Sequence, residues 1–224
     1  MARTNFDRAE LIERIGFSQD LALFKFRPEG PFSFRLGQYA TIAIEDDDKL
    51  IQRPYSIVSS PYEPFLEFFV ELVPEGELTA RLWEMRVGDE VLVRNRIVGA
   101  FTLDEKSGMK RHLLPATVTG VAPYLSMART QRIDLQRGNA EPRQLAIIHG
   151  ASRSWELEVY RDELTDMARE GWLIYVPTVS WPWEDTDYGG EKGRVEDVAQ
   201  KARRSTWFRP HQCGGLRLRA PADD

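Results

Sequence analysis

The chain has 224 residues, 42% of them hydrophobic, and a formal net charge of −5; this length holds one large domain or two of about 100 residues each, and the negative balance argues against nucleic acid as a partner. One cysteine, Cys213, rules out a disulfide within these residues and a cysteine-ligated iron–sulfur cluster, which needs about four such ligands, and His112, His149 and His211 are too few and scattered for zinc, so no metal is expected. No run reaches the ~18 apolar residues of a membrane span and no signal peptide is visible, so the expectation is a cytoplasmic protein without a membrane span.

The first half predicts strands. Ala22, Phe24 and Phe26 alternate with Leu21, Leu23 and Lys25, and Leu66, Phe68, Val70 and Leu72 alternate with Glu67, Phe69, Glu71 and Val73. Residues 39–44 and 90–94 are further short strands. Gly and Pro punctuate them, from Pro28 and Gly30 to Gly88 and Gly99, a spacing that predicts an antiparallel β-barrel. One helix interrupts it over 78–85, with Leu78, Leu82 and Met85 on one face. The polar run 104–111 reads as a linker. Beyond it strands (112–117, 144–149, 172–178) alternate with helices (121–131, 155–169, 195–203), which implies a doubly wound parallel sheet. The expected organisation is a β-barrel domain over 1–104 and an α/β domain over 110–224, the latter expected to be incomplete at its C-terminus.

The chemistry sits in short segments. In Arg53-Pro54-Tyr55-Ser56, a strand projects Arg53 and Tyr55 from one face. A guanidinium fork grips a pyrophosphate, an aromatic ring lies on a ring system, and the Ser56 hydroxyl bonds a ring nitrogen or a phosphate. The same residues also suit a solvated charge and a half-buried strand tyrosine. In Gly76-Glu77-Leu78-Thr79, the glycine permits a tight turn and the helix start offers unpaired N–H groups to a phosphate; an ordinary capped helix start has the same form.

Together these segments resemble the Arg-x-Tyr-Ser and Gly-x-Leu-Thr/Ser flavin motifs of the ferredoxin (flavodoxin)–NADP reductase family. Gly99-Ala100-Phe101 matches the family's Gly-x-Phe at the barrel end, and Ala116-Thr117-Val118-Thr119-Gly120-Val121-Ala122-Pro123 resembles its Ala-Thr-Gly-Thr-Gly-Ile-Ala-Pro dinucleotide loop. The resemblance covers residues 6 to 200, with a fragment at Cys213-Gly214 similar to the family's Cys-Gly-x-Pro. It implies FAD held by Arg53, Pro54, Tyr55, Ser56, Phe69, Val70, Glu71, Leu72, Gly76, Glu77, Leu78, Thr79 and Thr119. It implies NADP(H) held by Gly120, Val121, Pro123, Ser152, Arg153, Ser180 and Arg194, with Arg153 and Arg194 on the 2′-phosphate. Tyr55, Ser56 and Cys213 are the residues it places nearest the reacting rings, with Ser56 expected to hydrogen-bond near the flavin N5.

The implied activity is hydride exchange between NADPH and FAD, followed by single-electron transfer to ferredoxin or flavodoxin as a transient partner. A flavin-binding protein without reductase activity, and the reductase component of an oxygenase, are the competing readings. Four departures motivate the first of these. Val118 replaces the first glycine of the dinucleotide loop, Pro115 sits inside a central strand, Trp181 replaces an arginine, and residues 215–224 carry no helix-period face. The segment 215–224 is expected to be poorly ordered and the α/β half less stable than the barrel.

Overall fold

Eleven residues at the start, Phe6–Gly16, form the longest strand, β1, although its charges gave no strand signal in the sequence. Its core contribution is small: Ala9 and Leu11 are fully buried, and a bulge between Leu11 and Glu13 breaks the register beyond them. This is a computed structural model, which describes residues 5–46, 49–103, 108–204 and, by main chain, 213–215. With β2 (Leu21–Pro28), β3 (Tyr39–Asp46), β4 (Lys49–Ser56), β5 (Leu66–Glu71) and β6 (Glu90–Arg94), β1 makes an antiparallel sheet in the order β4-β3-β6-β1-β2-β5. The sheet curls into a half-barrel. Just past β4, the Val58 N–H donates to the Glu67 carbonyl on β5 at 2.9 Å, which draws the two edge strands together.

The second half is a parallel sheet, as expected. Its strands are β7 (Arg111–Thr117), β8 (Gln144–Ala151), β9 (Leu173–Val179), β10 (Glu191–Lys192) and β11 (Cys213–Gly215), in the order β10-β9-β8-β7-β11. Helices α2 (Ala122–Gln136), α3 (Glu158–Arg169) and α4 (Val195–Arg204) connect them; α1 (Glu77–Glu84) belongs to the first half. Pro115 does not interrupt β7, whose pairing with β8 runs unbroken from Arg111 to Thr117. On the other side β11 pairs only with Arg111 to Leu113. Among the described residues Pro115 therefore has a strand on one side alone, where a missing N–H is tolerated. Its carbonyl instead accepts the Tyr124 hydroxyl at 3.0 Å. The linker residues 104–107 and the segment 216–224 lie outside the described residues.

The two halves share a core, and alternation along β2 explains it. Ala22, Phe24 and Phe26 point into the half-barrel beside Ile42, Ile57, Phe68, Leu78 and Leu82. Leu21 and Leu23, on the opposite face, pack with Val58 and Phe69 against Leu125, Met127 and Leu164 of the second half. β5 divides the same way: Phe68 faces the barrel, while Glu67 and Phe69 face α2 and α3, with the Phe69 ring edge-on to Tyr160 at 5.4 Å. Hence α2 is wedged between the sheets, with Ala122 to Ala128 all buried. Polar contacts fix the wedge. Ser126 Oγ donates to the Ser59 carbonyl at 2.8 Å, and Ser60 and Thr130 share a hydroxyl hydrogen bond at 2.8 Å.

At its centre Arg129 forms a fork to both Glu163 oxygens (2.6 and 2.8 Å) and a bond to Glu67 at 2.9 Å, while Tyr160 donates to the other Glu67 oxygen at 2.9 Å. Burial alone would favour a neutral guanidinium, but the Glu163 and Glu67 carboxylates outweigh it and hold Arg129 charged.

Candidate functional site

A cleft of about 530 Å³ opens where the curled sheet, α1 and the loop after β7 converge. It is lined by Arg53, Pro54 and Tyr55 from β4, by Phe69, Val70, Glu71 and Val73 from β5 and its extension, by Gly76 to Thr79 at the start of α1, and by Thr119. Its size suits a cofactor-sized ligand. On β4, Ile51, Arg53 and Tyr55 share a face. Ile51 is buried in the barrel, whereas Arg53 is exposed and Tyr55 half-buried, because the sheet is open there. An arginine on the core-facing side of a strand, at the mouth of a cleft, is placed for an anion.

Among the described residues Arg53 forms no ion pair; its hydrogen bond is to the Gln52 carbonyl at 2.7 Å. Tyr55 packs edge-on against Phe68 with ring centroids 6.3 Å apart. Burial pushes its hydroxyl up to about 12, opposed by the Arg53 charge, so it stays a neutral phenol.

Across the cleft the first-turn N–H groups of α1 lack intrahelical partners, and no side chain caps them. Gly76 is required by packing. A Cβ there would stand 2.6 Å from Thr79 Oγ1 and 3.0 Å from Val73 Cβ. The Thr79 hydroxyl is engaged within this turn, donating to the Val73 carbonyl at 3.1 Å and accepting from the Val73 N–H at 3.2 Å, so it shapes the turn while the helix amides face the cleft. Glu77 is paired with Lys49 at 2.7 Å, and that bond holds its carboxyl below the usual range. Burial, with Asp20 and Glu156 nearby, raises Glu71.

Thr119 is the point where the second half reaches this cleft. It belongs to a 3-10 turn, Val118–Val121, between β7 and α2. Among the described residues Val118 is the one non-glycine at positive φ, 40°, a conformation disfavoured for a β-branched side chain. The position does demand a glycine-like backbone, and the chain supplies it with a valine. Gly120 is exposed. Val121 is buried in the shared core and Pro123 within α2, so neither side chain faces the cleft. Sequence reasoning missed the prop beneath the turn: fully buried His149 bonds the Val118 carbonyl through Nε2 at 3.0 Å and meets the Tyr175 hydroxyl at Nδ1 at 3.3 Å.

The remaining expected residues are spread along the C-terminal edge of the parallel strands, where such sheets take ligands. Ser152 and Arg153 follow β8, Ser180 follows β9, and Arg194 follows β10. Ser180 Oγ approaches the Ala151 carbonyl at 3.3 Å, and exposed Arg194 stands 3.8 Å from Glu196. Arg153 is ion-paired with Glu184 at 2.6 Å. Of the residues expected to hold the flavin or to stand nearest the reacting rings, three are not brought to the cleft. Ser56 ends β4 exposed and Leu72 is half-buried, and neither lines it. The main chain of Cys213 aligns with Arg111 at the start of β7, roughly 20 Å along that seven-residue strand from the Thr119 end.

Residues 8–101 match the oxidoreductase FAD-binding domain family. The chain is 36% identical over 177 residues to a flavodoxin/ferredoxin–NADP reductase of Shigella flexneri, covering 78% of this chain and 68% of that protein. It is 32% identical over 174 residues to a ferredoxin–NADP reductase of Pseudomonas aeruginosa, covering 73% and 65%. Its fold is similar to a crystal structure of a ferredoxin NADP+ reductase from Neisseria gonorrhoeae with bound FAD and NADP, at a TM-score of 0.82 and 21% identity, over 95% of this chain and 85% of that one.

Proposed function

The chain belongs to the flavodoxin/ferredoxin–NADP reductase family, and from that premise we propose that it is a flavoprotein oxidoreductase exchanging electrons between NADPH and ferredoxin or flavodoxin. The observation that carries this reading is the shared cleft, where Arg53, Tyr55 and the open start of α1 from one half meet Thr119 from the other. The residues fit FAD: an arginine without a carboxylate partner among the described residues and unpaired helix amides for the pyrophosphate, and a neutral aromatic ring on the same strand face for the flavin. Bound FAD would supply the exchange of a two-electron hydride for single electrons. The protein's part is to bind and orient. Arg53 and the amides of residues 77–79 anchor the diphosphate, and Tyr55 covers the ring system without giving up its proton. The wedge of α2 holds the two nucleotide sites at fixed separation. We assign residues 1–104 to the flavin-binding half and 110–224 to the dinucleotide-binding half, with Gly120, Ser152, Arg153, Ser180 and Arg194 along the edge the dinucleotide would follow.

Purified protein reconstituted with FAD should turn yellow, and anaerobic NADPH should bleach it. A colourless protein that takes up no FAD overturns the reading. The strained Val118 turn favours one alternative, a flavin-binding protein without reductase activity, which predicts FAD uptake without bleaching. Reduced protein offered ferredoxin, flavodoxin or an oxygenase iron–sulfur protein separates the partner assignments. Among the described residues no helix is long and apolar enough to cross a membrane.

A further inference from the structure

The pairing of β8 with β9 continues past both strands. The Ser180 N–H donates to the Ala151 carbonyl at 2.9 Å, and the Trp181 N–H to the Ser152 carbonyl at 3.0 Å. Arg153 and Trp181 are therefore neighbours at the ligand-binding edge of the sheet. The Arg153 guanidinium carbon lies 4.8 Å from the centroid of Trp181 and 5.4 Å from that of Trp155. Two indoles thus hold the guanidinium, a favoured arrangement for arginine. The chain then turns, with the Glu184 N–H donating to the Trp181 carbonyl at 3.1 Å. That turn returns the Glu184 carboxylate to Arg153 Nε at 2.6 Å. Both partners remain partly open to solvent, with side chains 31% and 39% exposed.

We infer that Glu184 sets dinucleotide selectivity, because its carboxylate, bound at Arg153 Nε, competes for the guanidinium charge with the adenosine 2′-phosphate. The inference rests on the reading of this edge as the dinucleotide site. An open ion pair is weak, and a phosphate with close to two negative charges binds a guanidinium more strongly than one carboxylate does. The phosphorylated ligand therefore meets Glu184 on the same guanidinium and carries the cost of displacing that carboxylate or of standing beside its negative charge. A dinucleotide without the 2′-phosphate leaves the pair in place. Glu184 accordingly narrows the preference for NADPH over NADH that Arg153 confers, and the indoles keep the guanidinium in position in either case.

The test uses the FAD-loaded full chain and two probes, 2′,5′-ADP and 5′-AMP. Binding is followed by calorimetry and by tryptophan fluorescence, to which Trp155 and Trp181 contribute. Glu184→Gln should tighten 2′,5′-ADP by about two- to fivefold, as expected for removing one exposed competing charge, and leave 5′-AMP unchanged. In an Arg153→Gln background the same change should have no effect on 2′,5′-ADP, because there is no guanidinium to release. Equal affinity of Glu184→Gln and the unaltered protein for 2′,5′-ADP, with both binding, overturns the role of Glu184. If neither probe binds either protein, the dinucleotide reading of the edge fails, and the inference with it.

Discussion

His149 donates a hydrogen bond from Nε2 to the carbonyl of Val118 at 3.0 Å, and so a buried imidazole holds the one strained non-glycine turn among the described residues. A carbonyl only accepts, so Nε2 carries the proton. Burial lowers the imidazole to about 4, opposed by this bond, so the ring is neutral at physiological pH. Its Nδ1 then accepts from the Tyr175 hydroxyl at 3.3 Å. Tyr175 is itself partly buried and its hydroxyl is pushed upward by that burial, which keeps it a donor. The loop that brings Thr119 to the cleft is thereby tied to β8 and β9.

This arrangement predicts acid sensitivity of a definite sign. Unfolded, His149 titrates near its ordinary value of about 6.5; folded, it titrates at about 4. Between these values the unfolded chain binds more protons, so stability falls as pH falls. The contribution is complete above about pH 6.5 and is lost progressively down to about pH 4, for a total on the order of 3 kcal/mol. Urea unfolding at pH 7.5, 6, 5 and 4.5 should show a steeper loss for the unaltered protein than for His149→Asn, which cannot titrate. Parallel slopes would mean that His149 is not the group responsible.

Val118 offers a second, local test. A positive φ costs a side-chain-bearing residue about 1–2 kcal/mol, and glycine's extra freedom in the unfolded chain returns about 0.5–1 of that. Val118→Gly and Val118→Ala both delete the packing of the valine against the core, but only glycine also relieves the backbone. Val118→Gly should therefore be more stable than Val118→Ala by roughly 0.5–1 kcal/mol, the reverse of the usual order within a strand or helix. Denaturant midpoints of the two variants decide it.

What could be read from the sequence follows the range of the interactions. β2, β5 and β6 announced themselves because their alternation reflects which face is buried, and the segment around Arg53 because a strand carries charge and ring on one face. β1 did not, since Asp7, Arg8, Glu10, Glu13 and Arg14 interleave with few apolar residues, and its strand character comes from pairing with β2 and β6. α2 runs to Gln136, beyond the expected end at 131, with Arg132 paired to Glu170 at the C-terminal end of α3. The Val118 position was legible as a backbone demand, but not the histidine 31 residues away that supports it. Nor was the pairing of Arg153 with Glu184, equally distant in the chain. Such contacts depend on register between strands that no local pattern encodes.

The Arg129 network predicts how the halves are coupled. Glu67 is 1% exposed and draws on Arg129 and Tyr160. Arg129→Ala removes the cation and leaves that carboxylate buried, a loss of about 3–5 kcal/mol. Because Glu67 belongs to the half-barrel while Arg129 and Glu163 belong to the α/β half, the loss falls on the interface. Calorimetry should show one transition for the unaltered protein and two for the variant, and a single transition at an unchanged temperature in the variant would contradict the coupling. Arg129→Lys, which keeps charge but not the fork, should fall between.

Arg53 tests the cleft itself. Its side chain is exposed, and among the described residues it gives up only a hydrogen bond to the neighbouring Gln52 carbonyl when removed. Arg53→Ala should accordingly leave the melting temperature of the FAD-free protein unchanged within about 1 °C, since exposed substitutions are usually neutral. A guanidinium bound to a pyrophosphate is a charge-assisted contact, and its loss should weaken FAD by on the order of 1.5–3 kcal/mol, about 10- to 150-fold in Kd. Arg53→Lys retains the charge without the bidentate fork and should recover part of that loss. Titration of the FAD-free protein, read by quenching of flavin fluorescence, gives all three constants. Unaltered FAD affinity in Arg53→Ala would remove the arginine from the site, and with it the physical basis for assigning the diphosphate to the mouth of the cleft. A parallel loss of stability in the FAD-free protein would instead assign Arg53 to the fold.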